Sequence, residues 1–219
     1  MLIKAARKTR KFAQPDSEFE QWPAPGFAEI LNQVEKRAAD GTHKYRILDL
    51  GPARQSVLEL SALRPFDLQI ADLVSNTTTI DADPGSIYSD CVFSEEYWER
   101  CLPSTDDRQV DAILCWDIFN YLGIEDITNL ARCLSRRCVA GAYLHSIIYT
   151  SETMPPNPLQ FDLLLPSSLC RNNNKSAASV PSPRFGMALT QHSLPQFEVA
   201  QFFQLDSDVQ EEIYRRSIK

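Results

Sequence analysis

Three short stretches place polar side chains directly behind apolar runs. In "ILDLGPAR" these are Asp49, Gly51 and Arg54; in "QIADL", Asp72; in "AILCWDIFNYL", Trp116, Asp117, Asn120 and Tyr121. A carboxylate at a strand end, a glycine beside it and a helix start offering unpaired amides suit a ligand with a polar, partly charged end. A second carboxylate about twenty residues on is where an acceptor for ribose hydroxyls is expected, which points to Asp72. Asp117, Tyr121 and His145, the last in "YLHSIIYT", are groups able to orient an acceptor or take its proton.

Each has a structural role open to it as well. Asp72 ends a strand and can bond nearby amides. Asp117 can cap the next helix, and Trp116 can be core. His145 sits mid-strand with Tyr143 and Ile147 on its face by alternation, where a hydrogen-bonded histidine is ordinary. His43 and His192 have no paired carboxylate, so no metal site is expected. Ser56 and Ser146 lack a G-x-S-x-G frame, and Gly51 alone is not a phosphate-binding loop.

The elements that must hold these residues read as alternating strands and helices. Phe27, Ile30, Leu31 and Val34 recur at helical spacing, with Gly41 as a stop. "YRILDL", "RQSVLELSALRP" and "FDLQIADL" then give strand, helix and strand, the unit of a parallel sheet. From 74 to 109 the pattern blurs: "SIYSDCVF" reads as a short third strand and "SEEYWERCL" as a capped helical turn or two. "VDAILC" is a buried strand, "GIEDITNLARCLSRR" a helix on Ile127, Leu130 and Leu134, and "CVAGAYLHSIIYT" a fifth strand. Residues 150–183 carry six prolines and read as a lid whose middle, 171–180, is mobile. "RFGMALTQHSLP" reads as helical, and "FEVAQFFQL" with "VQEEIYRRS" as an antiparallel pair at the sheet edge.

In the quoted residues of "ILDLGPA", "QIADL" and "AILCWDIFNYL", and in the order of elements from about 27 to 216, the chain resembles the class I S-adenosylmethionine-dependent methyltransferases. The resemblance implies an α/β, Rossmann-like, doubly wound, mostly parallel seven-stranded sheet with an antiparallel C-terminal pair, in three αβα layers. It implies S-adenosylmethionine as cofactor, bound by Asp49, Gly51, Ala53 and Asp72, with Asp90 toward the adenine and Cys115 and Trp116 as a pocket wall. Ala53 and Gln55 stand where the family has its next two glycines; Gln55 leaves the site open if it points to solvent. The Asn-Pro-Pro-aromatic signature of base methylation is replaced by "CWDIFN", so DNA is not an expected substrate. The expected activity is methyl transfer to a small-molecule or protein acceptor. The alternative is a catalytically inactive methyltransferase-like binding or scaffold subunit, motivated by the altered glycine loop.

Bulk properties narrow the setting. The net charge is −7, yet Lys4, Arg7, Lys8, Arg10 and Lys11 precede the first acid, which leaves 17 basic against 29 acidic residues in the remainder. So acidic a body disfavours nucleic acid as partner. Residues 1–25 are expected to be a flexible basic arm, with docking on an acidic protein or an organelle presequence as other readings, and 26–219 a single domain. No apolar run reaches the roughly 18 residues that cross a bilayer, so a soluble protein without a membrane partner is expected. The six cysteines, at 91, 101, 115, 133, 138 and 170, show neither CxxC pairing nor the density of a disulfide scaffold. Reduced thiols in a cytoplasmic setting are expected.

Overall fold

A computed structural model describes residues 19–38, 44–64, 66–77, 92–104, 108–164, 167–172, 178–186 and 192–217. Its framework is a six-stranded sheet of β2 (Tyr45–Asp49), β3 (Phe66–Ile70), β4 (Val110–Leu114), β5 (Cys138–Tyr149), β10 (Phe197–Asp206) and β11 (Val209–Arg216), in the order β10-β11-β5-β4-β2-β3. The pairs β2–β3, β2–β4 and β4–β5 are parallel, while β11 runs antiparallel to both β5 and β10. Every residue of β2 and β4 is buried, as central parallel strands covered on both faces require.

Alternation divides the core. Ile47, Ala112, Leu114, Ile147 and Ile213 point to one face, where α1 (Pro25–Ala38) packs through Phe27, Ile30, Leu31 and Val34 and α2 (Gln55–Leu63) through Val57 and Leu60. Leu48, Ile113, Leu144, Ile148 and Tyr214 point to the other, which α3 (Leu73–Thr77), α4 (Glu95–Cys101) and α5 (Ile124–Arg137) help to cover. The result is the expected three-layer α/β arrangement with its terminal antiparallel pair, with six strands in the main sheet among the described residues.

Several expectations meet differences. The proposed third strand, Ser86–Phe93, lies mostly outside the described residues; Val92 and Phe93 belong to no strand. Of the segment expected to be a flexible arm, Phe19–Pro23 forms β1 and Trp22 is buried, while 1–18 lie outside the described residues. Of the "RFGMALTQHSLP" helix, 187–191 lie outside the described residues, and only His192 and Ser193 are helical among the rest.

The Pro-rich segment contributes β6 (Thr153–Met154), β7 (Phe161–Leu164), β8 (Ser168–Asn172) and β9 (Val180–Pro181). β1, β8 and β7 make a second, antiparallel sheet, and its Trp22, Phe161, Leu163 and Leu169 join the core on the α1/α2 face. Of the stretch expected to be mobile, Arg171 and Asn172 end β8, Val180 opens β9, and 173–177 lie outside the described residues. The five described cysteines are all free. No helix among the described residues is long and apolar enough to cross a membrane.

Candidate functional site

The winding of the sheet reverses between β2 and β4, and ligands of doubly wound sheets sit at the carboxyl ends of strands at such a point. Asp49 closes β2 there, fully buried. Its Oδ1 accepts hydrogen bonds from the Gly51 amide (2.8 Å) and the Trp116 indole Nε1–H (2.6 Å), while Oδ2 has no partner among the described residues. Burial pushes this carboxyl up to about 6, against the pull of those two hydrogen bonds and with the Asp72 carboxylate adding to the rise.

Trp116 follows β4 with φ +51, a left-handed backbone that a bulky residue rarely adopts. Its carbonyl takes hydrogen bonds from the Ile147 amide (2.7 Å) and the Ser146 hydroxyl (3.2 Å), which locks the turn to β5. The indole stacks on Phe161 (centroids 5.8 Å, planes 15° apart) and meets the His145 ring edge-on at 5.8 Å. A Cβ on residue 51 would lie 2.7 Å from indole Cδ1 and 2.8 Å from Nε1. The space beside Gly51 where a ligand is expected is therefore filled by the chain's own tryptophan.

The neighbouring residue lies deeper. Asp117 is fully buried; its Oδ2 accepts from the Tyr149 hydroxyl (3.0 Å) and the Leu159 amide (2.9 Å), and Oδ1 has no partner among the described residues. Burial raises its pKa to about 7, a value at which a carboxyl takes up or releases a proton near neutrality. Tyr121 directs its hydroxyl at the carbonyls of Pro155 (3.0 Å) and Asn157 (2.9 Å), and burial raises both its pKa and that of Tyr149. Asn120 ties the same loop to β5 by donating to Ile147 O and accepting from Tyr149 N.

The other expected residues separate into near and far. Asp72 stands at the end of β3 with φ +46, close enough to raise the Asp49 pKa, and its Oδ1 accepts from Ser75 N (3.1 Å) in the first turn of α3. Ala53 and Gln55 are exposed; Gln55 bonds Glu59 and does not enter the hollow. Arg54 is committed to Asp162 (2.6 Å) and Gln160 (2.5 Å). Cys115 and Trp116, expected to form one wall, pack instead into the cores on opposite faces of the sheet. Burial drives the Cys115 thiol pKa well up. Asp90 lies outside the described residues.

His145 is fully buried with its Nε2 2.8 Å from Glu211 Oε1, while Nδ1 has no partner among the described residues. The Glu211 carboxylate also accepts the amides of Gly26 (2.7 Å) and Phe27 (2.8 Å), so it caps α1 from β11. Glu211 was not singled out from the sequence, nor were Phe161, Asp162 and Tyr149. The available signal was the doublet Glu211–Glu212 within a strand, since alternation sends one acid to each face and both faces are covered.

No protein-family model matches the chain, and no curated protein matches it. Solved structures do overlap it, at low identity. A S-adenosylmethionine-dependent methyltransferase from Clostridium acetobutylicum is 9% identical, with 89% of this chain and 92% of that one covered at a TM-score of 0.49. Magnesium protoporphyrin IX methyltransferase from Synechocystis with bound cofactor is 12% identical, with 88% and 80% covered at 0.45. The N-methyltransferase NodS from Bradyrhizobium japonicum in complex with S-adenosyl-L-homocysteine is 10% identical, with 86% of each chain covered at 0.42.

Proposed function

We propose that this chain binds S-adenosylmethionine at the carboxyl ends of β2, β3 and β4 and transfers its methyl group to a small-molecule or protein acceptor. The observation that carries the reading is the strand order, which sets Asp49, Asp72 and Asp117 behind three adjacent parallel strands at the reversal point. Asp49 Oδ2, without a partner among the described residues, suits the ammonium of the cofactor's amino-acid end. Asp72 suits its ribose hydroxyls. The bound cofactor supplies a methyl on a positive sulfur. Asp117, with a pKa near 7, accepts the proton that the acceptor group gives up, and the aromatic rings of Phe161 and Trp22 exclude water. Methyl transfer asks chiefly for positioning, so this small set is sufficient chemistry.

Calorimetry with S-adenosylhomocysteine is the direct test: wild type releases heat on binding, and Asp72→Ala binds at least about tenfold more weakly, the loss of one charge-assisted hydrogen bond. An Asp72→Ala variant that binds as well as wild type removes the ribose assignment.

A second reading, a catalytically inactive binding or scaffold subunit, is favoured by one observation. Groups that face the ligand position are engaged internally, Asp49 Oδ1 by Trp116 and Arg54 by Asp162. On that reading purified protein carries a stoichiometric partner, docked through the basic residues Lys4 to Lys11 onto an acidic surface, and shows no heat with S-adenosylhomocysteine.

A further inference from the structure

Resting on the cofactor-binding reading, we infer that Trp116 sets cofactor affinity by competing for the same place: its indole holds the Asp49 carboxylate and the space over Gly51 until the amino-acid end of the cofactor displaces it. Four separate observations meet at this side chain. The indole N–H donates to Asp49 Oδ1 at 2.6 Å, which is where a ligand's N–H donor belongs. The ring lies so close to Gly51 that even a methyl there would collide with it. The backbone of Trp116 sits at φ +51, a conformation that costs about 1 kcal/mol or more for a bulky residue and persists only when its surroundings enforce it. The second Asp49 oxygen has no partner among the described residues, so the indole satisfies half of a carboxylate that an ammonium with several N–H donors satisfies fully.

The ring has somewhere to be held as well as something to leave. It stacks on Phe161 of β7, and β7 is fastened to the start of α2 by Asp162, which receives Arg54 and the Ser56 hydroxyl (3.0 Å), while the Leu163 amide donates to Ser56 Oγ (3.0 Å). The small sheet thus sets Phe161 against the face of the indole whose Nε1–H edge reaches Asp49. A protein whose binding-competent form excludes this arrangement binds with an affinity lowered by the fraction of molecules that have left it.

The competition is confined to one end of the ligand, and that makes it measurable. S-Adenosylhomocysteine carries the amino-acid end; adenosine lacks it. Calorimetry with both ligands on wild type, Trp116→Phe and Trp116→Ala is expected to show S-adenosylhomocysteine tightening by about tenfold, the worth of one hydrogen bond to a charged group, with adenosine unchanged. Trp116→Phe keeps a six-membered ring for Phe161 to stack on while removing the N–H and the five-membered ring beside Gly51, so it carries the test should Trp116→Ala fail to fold. Variants that bind S-adenosylhomocysteine no tighter than a binding-competent wild type, or that tighten both ligands alike, overturn the inference and leave the cofactor reading standing. Absence of binding by wild type and both variants overturns the cofactor reading itself, and the inference with it. Binding by the variants alone supports both.

Discussion

At the scale of single residues, the chain keeps two carboxylic acids in places where ionisation is costly. Asp117 goes from an ordinary 3.8 to about 7 through burial, and Asp49 from 3.8 to about 6. A carboxyl whose pKa is raised on folding contributes stability that is intact below about pH 4 and is lost as pH climbs toward the folded value. Replacing Asp117 by Asn removes that loss while leaving an oxygen to accept from Tyr149 and Leu159. The unfolding free energy of Asp117→Asn should therefore pull ahead of wild type between pH 4 and 7 and run parallel above it. At about 1.4 kcal/mol per unit, the gain is bounded near 4 kcal/mol. Urea titrations at pH 4, 5.5, 7 and 8 measure it, and curves that stay parallel throughout contradict the assignment. The sequence made these acids visible because each follows an apolar run. It did not reveal that Trp116 would turn back onto Asp49, since that depends on one positive φ and on the distance between two loops 67 positions apart.

At the scale of elements, α1 shows how a helix can be capped from far away. It begins with Pro25, whose missing N–H costs nothing in a first turn, and it has no acid there; the Glu211 carboxylate takes the next two amides instead. Gly26 is a glycine for that reason: a Cβ would lie 2.7 Å from Ile213 Cδ1 and 2.8 Å from Glu211 Cδ. Both neighbours are fixed by packing or by three hydrogen bonds, so Gly26→Ala is expected to cost about 1–3 kcal/mol in urea unfolding. A loss below a few tenths would mean that Glu211 yields freely. The helix itself was legible from Phe27, Ile30, Leu31 and Val34, because helical periodicity is written in consecutive residues. Its cap was not legible, because nothing near Pro25 in sequence performs the capping. By contrast, α4 carries its cap locally in Ser94, which accepts from Tyr97 N, and was read correctly from Ser–Glu alone.

At the scale of the whole molecule, two sheets share a core on the α1/α2 face, and Trp22 joins them. It is 4% exposed, lies beneath the Arg171 guanidinium at 4.3 Å and packs 6.3 Å from Phe161. Trp22→Ala should cost about 3–5 kcal/mol, read as a lower urea midpoint; a near-neutral result would detach the small sheet from the stability of the large one. The large sheet was legible because its strands are apolar runs with helices between them, and its terminal pair because two strand patterns stand a short turn apart. The small sheet was hidden: β7 and β8 lie among prolines that read as loop, and β1 follows a run of basic residues that read as tail. The described residues nevertheless tie α1 to β11. Gly26 and Glu211 stand 185 positions apart, so during synthesis on the ribosome the amides opening α1 wait for their acceptor until those 185 further residues have emerged. Consolidation of this protein is thereby a late event, and a nascent chain arrested before β11 should bind chaperones and be cut by proteases within α1, where the finished molecule resists both.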